Sequence, residues 1–374
     1  MTQRRQFIRG AGAAAAGVMV PTLWREAAAQ APAGYPASYA AVVAEGRKEG
    51  RVIVYSNISN PNWAPLAKAF NAKYPEIKVD MLDLGAGETV SRYLSEKSTG
   101  VATADLIVTA NQTGWLDLSK RGELVDYVSP EAAAWPAWSR PLKGLYTLSA
   151  DPLLFVWNNT KVPEAQRPRT FADFVKMGNA NKSTWARKIT SYSPVESVFG
   201  YTAHWYFVKH HGEVAGWKMM EQLAAIPPRF ESTGGPQIEK VTSGEYLNAY
   251  FGSAIQVWPR LKDPVVARFL GWSFIADGQP MMMRGVAIPK AAKNVNAAKL
   301  LLDFCLSSEG QVALGVGGLT PARPDVSPSA AVPFTYKSIV QALGEKNIIL
   351  LGYDEKQVSE KDAFIAKFKK VFAS

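Results

Sequence analysis

Residues 51–98 read RVIVYSNISNPNWAPLAKAFNAKYPEIKVDMLDLGAGETVSRYLSEKS, and the periodicity of this stretch decides the fold class. The apolar run at 52–55, entered through Gly50 and Arg51, has the length of a buried strand. A polar loop is predicted at 57–62. Residues 64–74 then place Leu66, Ala69, Phe70 and Lys73 at helical spacing, 78–82 read as a second strand, and the Gly85-Ala86-Gly87 turn opens a helix over 88–98. Strands alternating with helices at these intervals require a mainly parallel sheet covered on both faces.

The alternation continues outward. Residues 39–48 precede the quoted stretch as a helix, and 105–108 and 115–120 follow as strand and helix. A second series has strands at 153–157 and 189–191, an aromatic-rich helix over 195–209 and a helix over 216–225. It goes on with a loop at 230–235, a helix to about Ser243, apolar runs at 247–251 and 269–274, and a strand at 285–289. The helix over 295–306 sets Ala298, Leu301, Leu302 and Cys305 on one face. The pattern suits two α/β units of roughly 120 residues each, and open sheets of this kind bind ligands beyond the carboxyl ends of their strands.

Composition narrows the function. The 374 residues are 47% hydrophobic and 20% charged, with 29 Gly and 24 Pro, which excludes disorder and collagen-like structure. One cysteine rules out an internal disulfide, and three histidines (His204, His210 and His211) are too few for a Cys/His zinc centre. The histidine pair 210–211 reads as the polar end of the aromatic helix. The net charge is +10. Basic residues are interspersed with acids throughout, so no nucleic-acid partner is expected, and past the leader no run of 18 apolar residues suggests a membrane span.

The first 29 residues have the order of an export signal. Arg4-Arg5-Gln6-Phe7-Ile8-Arg9 is followed by a small, apolar run over 10–23 and by Ala27-Ala28-Ala29. The arginine pair resembles the twin-arginine motif of the Tat pathway. Cleavage after Ala29 would leave 38 Lys+Arg against 31 Asp+Glu, a net +7. Residues 30–38 read as a Pro/Ala/Gly-rich linker.

Catalytic signatures are missing. Gly85-Ala86-Gly87 is followed by Val90 where a dinucleotide fingerprint needs glycine, and there is no Walker A, Gly-x-Ser-x-Gly or His-Glu-x-x-His sequence.

The segments 52–57 (VIVYSN), 104–109 (ADLIVT), 241–245 (VTSGE) and 284–294 (RGVAIPKAAKN), continued by AAK at 297–299 and DFCLSSEGQ at 303–311, resemble extracellular solute-binding proteins of ABC importers, in their ferric-iron, phosphonate and sugar-phosphate branch. The resemblance covers about 40–325. It implies a two-lobed, type II periplasmic-binding-protein fold: a clamshell of mixed sheets flanked by helices, with crossing hinge strands at 152–158 and 284–289. Lobe 1 would comprise 30–151 plus 285–374, and lobe 2 would comprise 152–284. It further implies a periplasmic monomer that is not an enzyme, carries no cofactor and hands its solute to an ABC permease and its ATPase.

For the solute, the residues favour an organic anion: a phosphonate, or a phosphorylated or carboxylated molecule. Loops after successive strands present Ser56 and Asn57, Gly87 with Thr89, Thr109 with Asn111, Ser191-Tyr192-Ser193, and Thr233-Gly234. Hydroxyls and backbone N–H groups at helix starts suit oxyanions, although each such residue can equally cap its own helix. Tyr250 would wall the ligand, with Tyr192. Arg92 is either a counter-charge or a surface cation, and Glu88 either holds a ligand amine or complements its helix dipole. Ferric iron is the alternative, with hard oxygen donors. It is weakened here because the second lobe has no adjacent tyrosine pair and Ser56-Asn57 offers neither His nor acid. An exported hydrolase and a ligand-presenting sensor are the remaining readings.

Overall fold

The computed structural model describes residues 30–373, so the leader predicted over 1–29 lies outside the described residues. Helix α1 (Tyr39–Glu49) ends at Gly50, whose φ of 63° lets the chain reverse into β1 (Arg51–Ser56). Helix α2 (Asn60–Lys73), β2 (Lys78–Asp83), α3 (Ala86–Ser98), β3 (Leu106–Thr109) and α4 (Gln112–Lys120) follow in the predicted order. Helix α2 starts at Asn60 rather than 64. Its first turn, Asn60-Pro61-Asn62, is polar and looks like loop, yet proline's fixed φ suits a first helical turn, where no N–H partner is lost.

The rest of the chain contributes β4 (Tyr146–Asn158), α5 (Phe171–Ala180), β5 (Ile189–Tyr192), α6 (Val198–His211), α7 (Glu213–Ala224), β6 (Arg229–Glu231), α8 (Gly234–Ser243), β7 (Asn248–Ser253), β8 (Leu270–Ser273), β9 (Gln279–Ala287), α9 (Val295–Leu306), α10 (Ser308–Val316), β10 (Ile348–Leu351) and α11 (Lys361–Ala373). The loop predicted at 230–235 begins as strand β6, a three-residue edge that pairs only with β5 and is too short to show an apolar pattern. Strands β4 and β9 both begin well before their apolar signals, because Thr147, Ser149, Asp151 and Arg284 interrupt them.

The strand order is β2-β1-β3-β9-β4-β7-β5-β6, with β10 added to β9 and β8 to β4. Strands β2, β1 and β3 are parallel, β5 is parallel to β6 and β7, and β4 and β9 run antiparallel to each other and to their other neighbours in that order. The sheet is therefore mixed. Strand β4 changes partner along its length: Tyr146–Pro152 pairs with β9, and Leu153–Asn158 pairs with β7 and β8.

Two main cores lie on either side of this change. One packs α1, α2 and α9 around Val54, Phe70, Leu106, Leu301 and Phe304. The other gathers Phe155, Phe171, Phe174, Trp185, Phe207 and Phe251. Cys305 is buried in the first as an ordinary small core residue. Residues 348–373, placed in lobe 1 by the sequence, send Ile349, Leu351, Phe364 and Phe368 into the second core, where α11 packs on α6 and α7. Phe364 and Phe368 lie one turn apart on this terminal helix, on the face it turns to that core.

Candidate functional site

A cleft of about 630 Å³ opens between the two cores. Its walls are the loop after β1 (Asn57, Ser59), the β2–α3 turn (Asp83 to Gly87), the loop from β5 into α6 (Tyr192, Glu196, Ser197), the β6–α8 turn (Ser232 to Gly235) and the end of β7 (Ser253, with Gln256 beyond it). Arg284 of β9 also borders the cleft. The starts of α2, α3, α6 and α8 all face this space. Ser197 caps α6 by accepting the Gly200 N–H at 3.3 Å, whereas Ser59 and Thr233 make no side-chain cap bond to their helices. Two helix N-termini, of 14 and 10 residues, therefore converge without the usual side-chain acceptor, the arrangement that receives an oxyanion, while at the start of α3 the Glu88 carboxylate accepts the Gly85 N–H at 3.3 Å.

Of the sequence-predicted residues, Asn57, Gly87, Tyr192, Thr233 and Gly234 line the cleft. The others lie behind it. The Thr89 hydroxyl (2.8 Å), the Thr109 hydroxyl (3.2 Å) and the Asn111 amide (3.2 Å) all donate to the Ala86 carbonyl. They hold the first turn of α3 in place and do not touch the cavity. Ser56 is buried, its hydroxyl accepting the Ile58 N–H at 3.0 Å; Ser193 accepts the Glu196 N–H at 3.1 Å; Ser191 is fully buried.

Tyr250, expected to wall the ligand, is instead in the core. Strand β7 carries one extra residue between its pairings with Leu154 and Val156, and Phe251 adopts a φ of 57° there, rare for a bulky residue and typical of a bulge. The Tyr250 ring packs against Phe171 and Phe174, with its hydroxyl 3.0 Å from Nε2 of His204. Burial holds His204 neutral, its pKa lowered to about 4. Neither His210 nor His211 borders the cleft, and Arg92 is engaged with Glu96 at 2.9 Å.

Tyr192 stands against Gly234 so closely that a Cβ at 234 would lie 2.2 Å from its hydroxyl oxygen. Burial raises the Tyr192 pKa well above that of a free phenol, with Arg284 and Arg260 opposing the shift. Across the mouth, a Cβ at Gly87 would meet Val198 at 3.9 Å, so the two walls nearly touch.

Sequence reasoning missed Arg284, which is 2% exposed. Its Nε and one terminal nitrogen each donate to Asp151 Oδ2 at 3.3 Å, and the other terminal nitrogen donates to Asn57 Oδ1. Asp151 also accepts the Thr320 N–H at 2.9 Å and the Ser149 hydroxyl at 3.0 Å. Burial pushes the Asp151 pKa up, and Arg284 and these donors counter it. A cation following the apolar run Pro280-Met281-Met282-Met283 was the available signal, since such a charge needs a buried partner. Among the described residues, no group of three or more His, Cys, Asp or Glu is arranged to hold a metal ion, and Tyr192 is the one tyrosine in the cleft lining.

The profile of bacterial extracellular solute-binding proteins matches residues 65–337. The chain belongs to that family. Its fold is that of the type II periplasmic binding proteins. The substrate-binding protein of an ABC transporter from Agrobacterium tumefaciens superposes with a TM-score of 0.76 at 21% identity, over 86% of this chain and 94% of that one. The periplasmic binding protein AfuA from Actinobacillus pleuropneumoniae, with fructose 6-phosphate bound, gives 0.70 at 21% identity over 87% and 99%. Iron-bound HitA from Pseudomonas aeruginosa gives 0.63 at 18% identity over 84% and 98%. An uncharacterized protein of Haemophilus influenzae is 25% identical over 80% of this chain and 86% of its own length. Among the described residues, no helix is long and apolar enough to cross a membrane.

Proposed function

We propose that this family member is the periplasmic substrate-binding component of an ABC transporter, exported through its Tat-type leader. It captures a small organic anion, a phosphonate or a phosphorylated or carboxylated solute, and delivers it to the permease and its ATPase as a monomer, without chemistry of its own. The observation that carries this reading is the convergence on one cleft of two helix N-termini without side-chain caps, those of α2 and α8. N–H dipoles and directed hydrogen bonds there replace the hydration of an oxyanion. The cleft volume of about 630 Å³ lies within the range of small-molecule sites, and a sugar phosphate occupies one protein of the same fold. Ferric iron is the weaker choice because the lining supplies a single phenol, whose deprotonation burial opposes.

Closure would move residues 30–151 with 285–347 against 152–284 with 348–373, hinged where β4 changes partner at Pro152 and Leu153. Thermal-shift screening of the mature chain against phosphonates, sugar phosphates, carboxylates and ferric citrate tests the reading, because a ligand that binds only the folded state raises the melting temperature. An anion is expected to give the largest rise. A visible absorption band on adding ferric citrate, with no response to any organic anion, would overturn it.

A further inference from the structure

The side chain of Arg284 is almost wholly buried, yet it borders the cleft. A guanidinium carries five N–H groups in a rigid plane. Three are directed to protein acceptors: two to Asp151 and one to Asn57. Two remain, one on each terminal nitrogen, the number that binds two oxygens of one carboxylate, phosphate or phosphonate. The buried carboxylate of Asp151 neutralises the cation, so the pair supplies directed donors with no net charge. Asp151 sits on β4, opposite Met282 of β9 and next to the point where β4 changes partner, and its other oxygen holds the Thr320 N–H.

We propose that Arg284 is the residue that reads the ligand's oxyanion, taking two of its oxygens with these two N–H groups, and that Asp151 is the positioning residue that sets the strength of this contact. The inference rests on the anion-binding reading above and adds to it. The helix N-termini accept many polar groups, whereas a buried, preset guanidinium selects a two-pronged anion over a neutral solute of the same shape. Asn57 completes the cradle, since its Oδ1 also accepts the Ala110 N–H at 3.2 Å and so links the guanidinium to the end of β3.

The probes are fructose 6-phosphate, phosphonoacetate and citrate, with fructose as the uncharged control, in calorimetric titration and thermal-shift assays of the full mature chain. Wild type is expected to bind at least one anion and to ignore fructose. Arg284→Gln should weaken that anion at least a hundredfold. Asp151→Asn leaves the guanidinium buried without its counter-charge. The ligand-free melting temperature should fall while the rise on adding the anion grows, because the ligand now supplies the missing charge. A purely structural role for Asp151 would lower both states alike and would refute its positioning role. Should the single variants fail to fold, Arg284→Met combined with Asp151→Leu removes both charges at similar volume, and this folded variant should bind no anion. Wild-type affinity in Arg284→Gln or in the double variant would overturn the inference while leaving the anion reading intact. Failure of wild type to bind any anion would overturn both.

Discussion

Replacing Gly234 with alanine would put a methyl carbon 2.2 Å from the Tyr192 hydroxyl oxygen and 3.1 Å from the ring carbon that bears it. The ring cannot swing aside freely, because it packs against Phe199 with centroids 4.6 Å apart. Either Tyr192 or the first turn of α8 must move by about an ångström. Overpacking of this kind costs ~1–3 kcal/mol, offset in part by the ~0.5–1 kcal/mol that alanine gains over glycine in a helix. Both elements that must move line the cleft, so ligand affinity should fall roughly tenfold to a hundredfold. Gly235 is the internal control: a Cβ there meets nothing within 4 Å. Gly235→Ala should stabilise the fold by ~0.5–1 kcal/mol. Urea unfolding and calorimetric titration with the tightest-binding anion of the panel read both effects. If Gly234→Ala behaves like Gly235→Ala in urea unfolding, or binds the anion as wild type does, Tyr192 is not held as described and the account of this wall is wrong.

Three further outcomes follow from buried polar groups. His204, held neutral with its pKa lowered from 6.5 to about 4, is protonated in the unfolded chain first. Its contribution is intact above about pH 6.5 and is lost as the pH falls through about 4, by up to about 3 kcal/mol; His204→Gln should flatten that part of a stability–pH curve. Asp303 runs the opposite way. Burial lifts its pKa from 3.8 to about 6, although the Tyr39 and Tyr127 hydroxyls donate to it, so its protonated form favours folding at low pH and that support fades as the pH rises through about 6. Asp303→Asn should therefore gain up to about 3 kcal/mol at pH 8 and little at pH 3.5, by denaturant titration at the two pH values. Asn62→Ala strips the Ile255 and Gly317 carbonyls of a buried donor and should cost about 2–4 kcal/mol in the same assay.

The sequence was most legible where local periodicity and tertiary packing agree. The strand–helix alternation around Val52, Phe70 and Lys78 and the amphipathic helix ending at Leu306 lie where the sequence places them. Boundaries slipped where polar residues serve long-range ends. Asp151 hid the first half of β4 because its partners, Arg284 and Thr320, are more than a hundred residues away. The same blindness governs the site. Gly87, Thr233 and Gly234 announce helix starts and do line the cleft, but nothing local distinguishes Thr89, Thr109 and Asn111, which all serve the Ala86 carbonyl, from groups that would meet a ligand. Tyr250 faces inward because of a bulge whose positive φ falls on Phe251 and not on the neighbouring Gly252, so the sequence does not show which residue turns. Arg284 was read only as the first residue of a hinge strand, because the carboxylate that pairs with it, Asp151, is 133 residues away.

The central claim is that a small organic anion is trapped between two moving lobes and released unaltered. Small-angle X-ray scattering of the mature protein, recorded with and without the tightest-binding anion of the panel, measures this directly when the ligand is afterwards recovered by mass spectrometry. The account predicts a smaller radius of gyration at saturation and a recovered ligand of unchanged mass. An unchanged radius, or a ligand returned as a different compound, would contradict it.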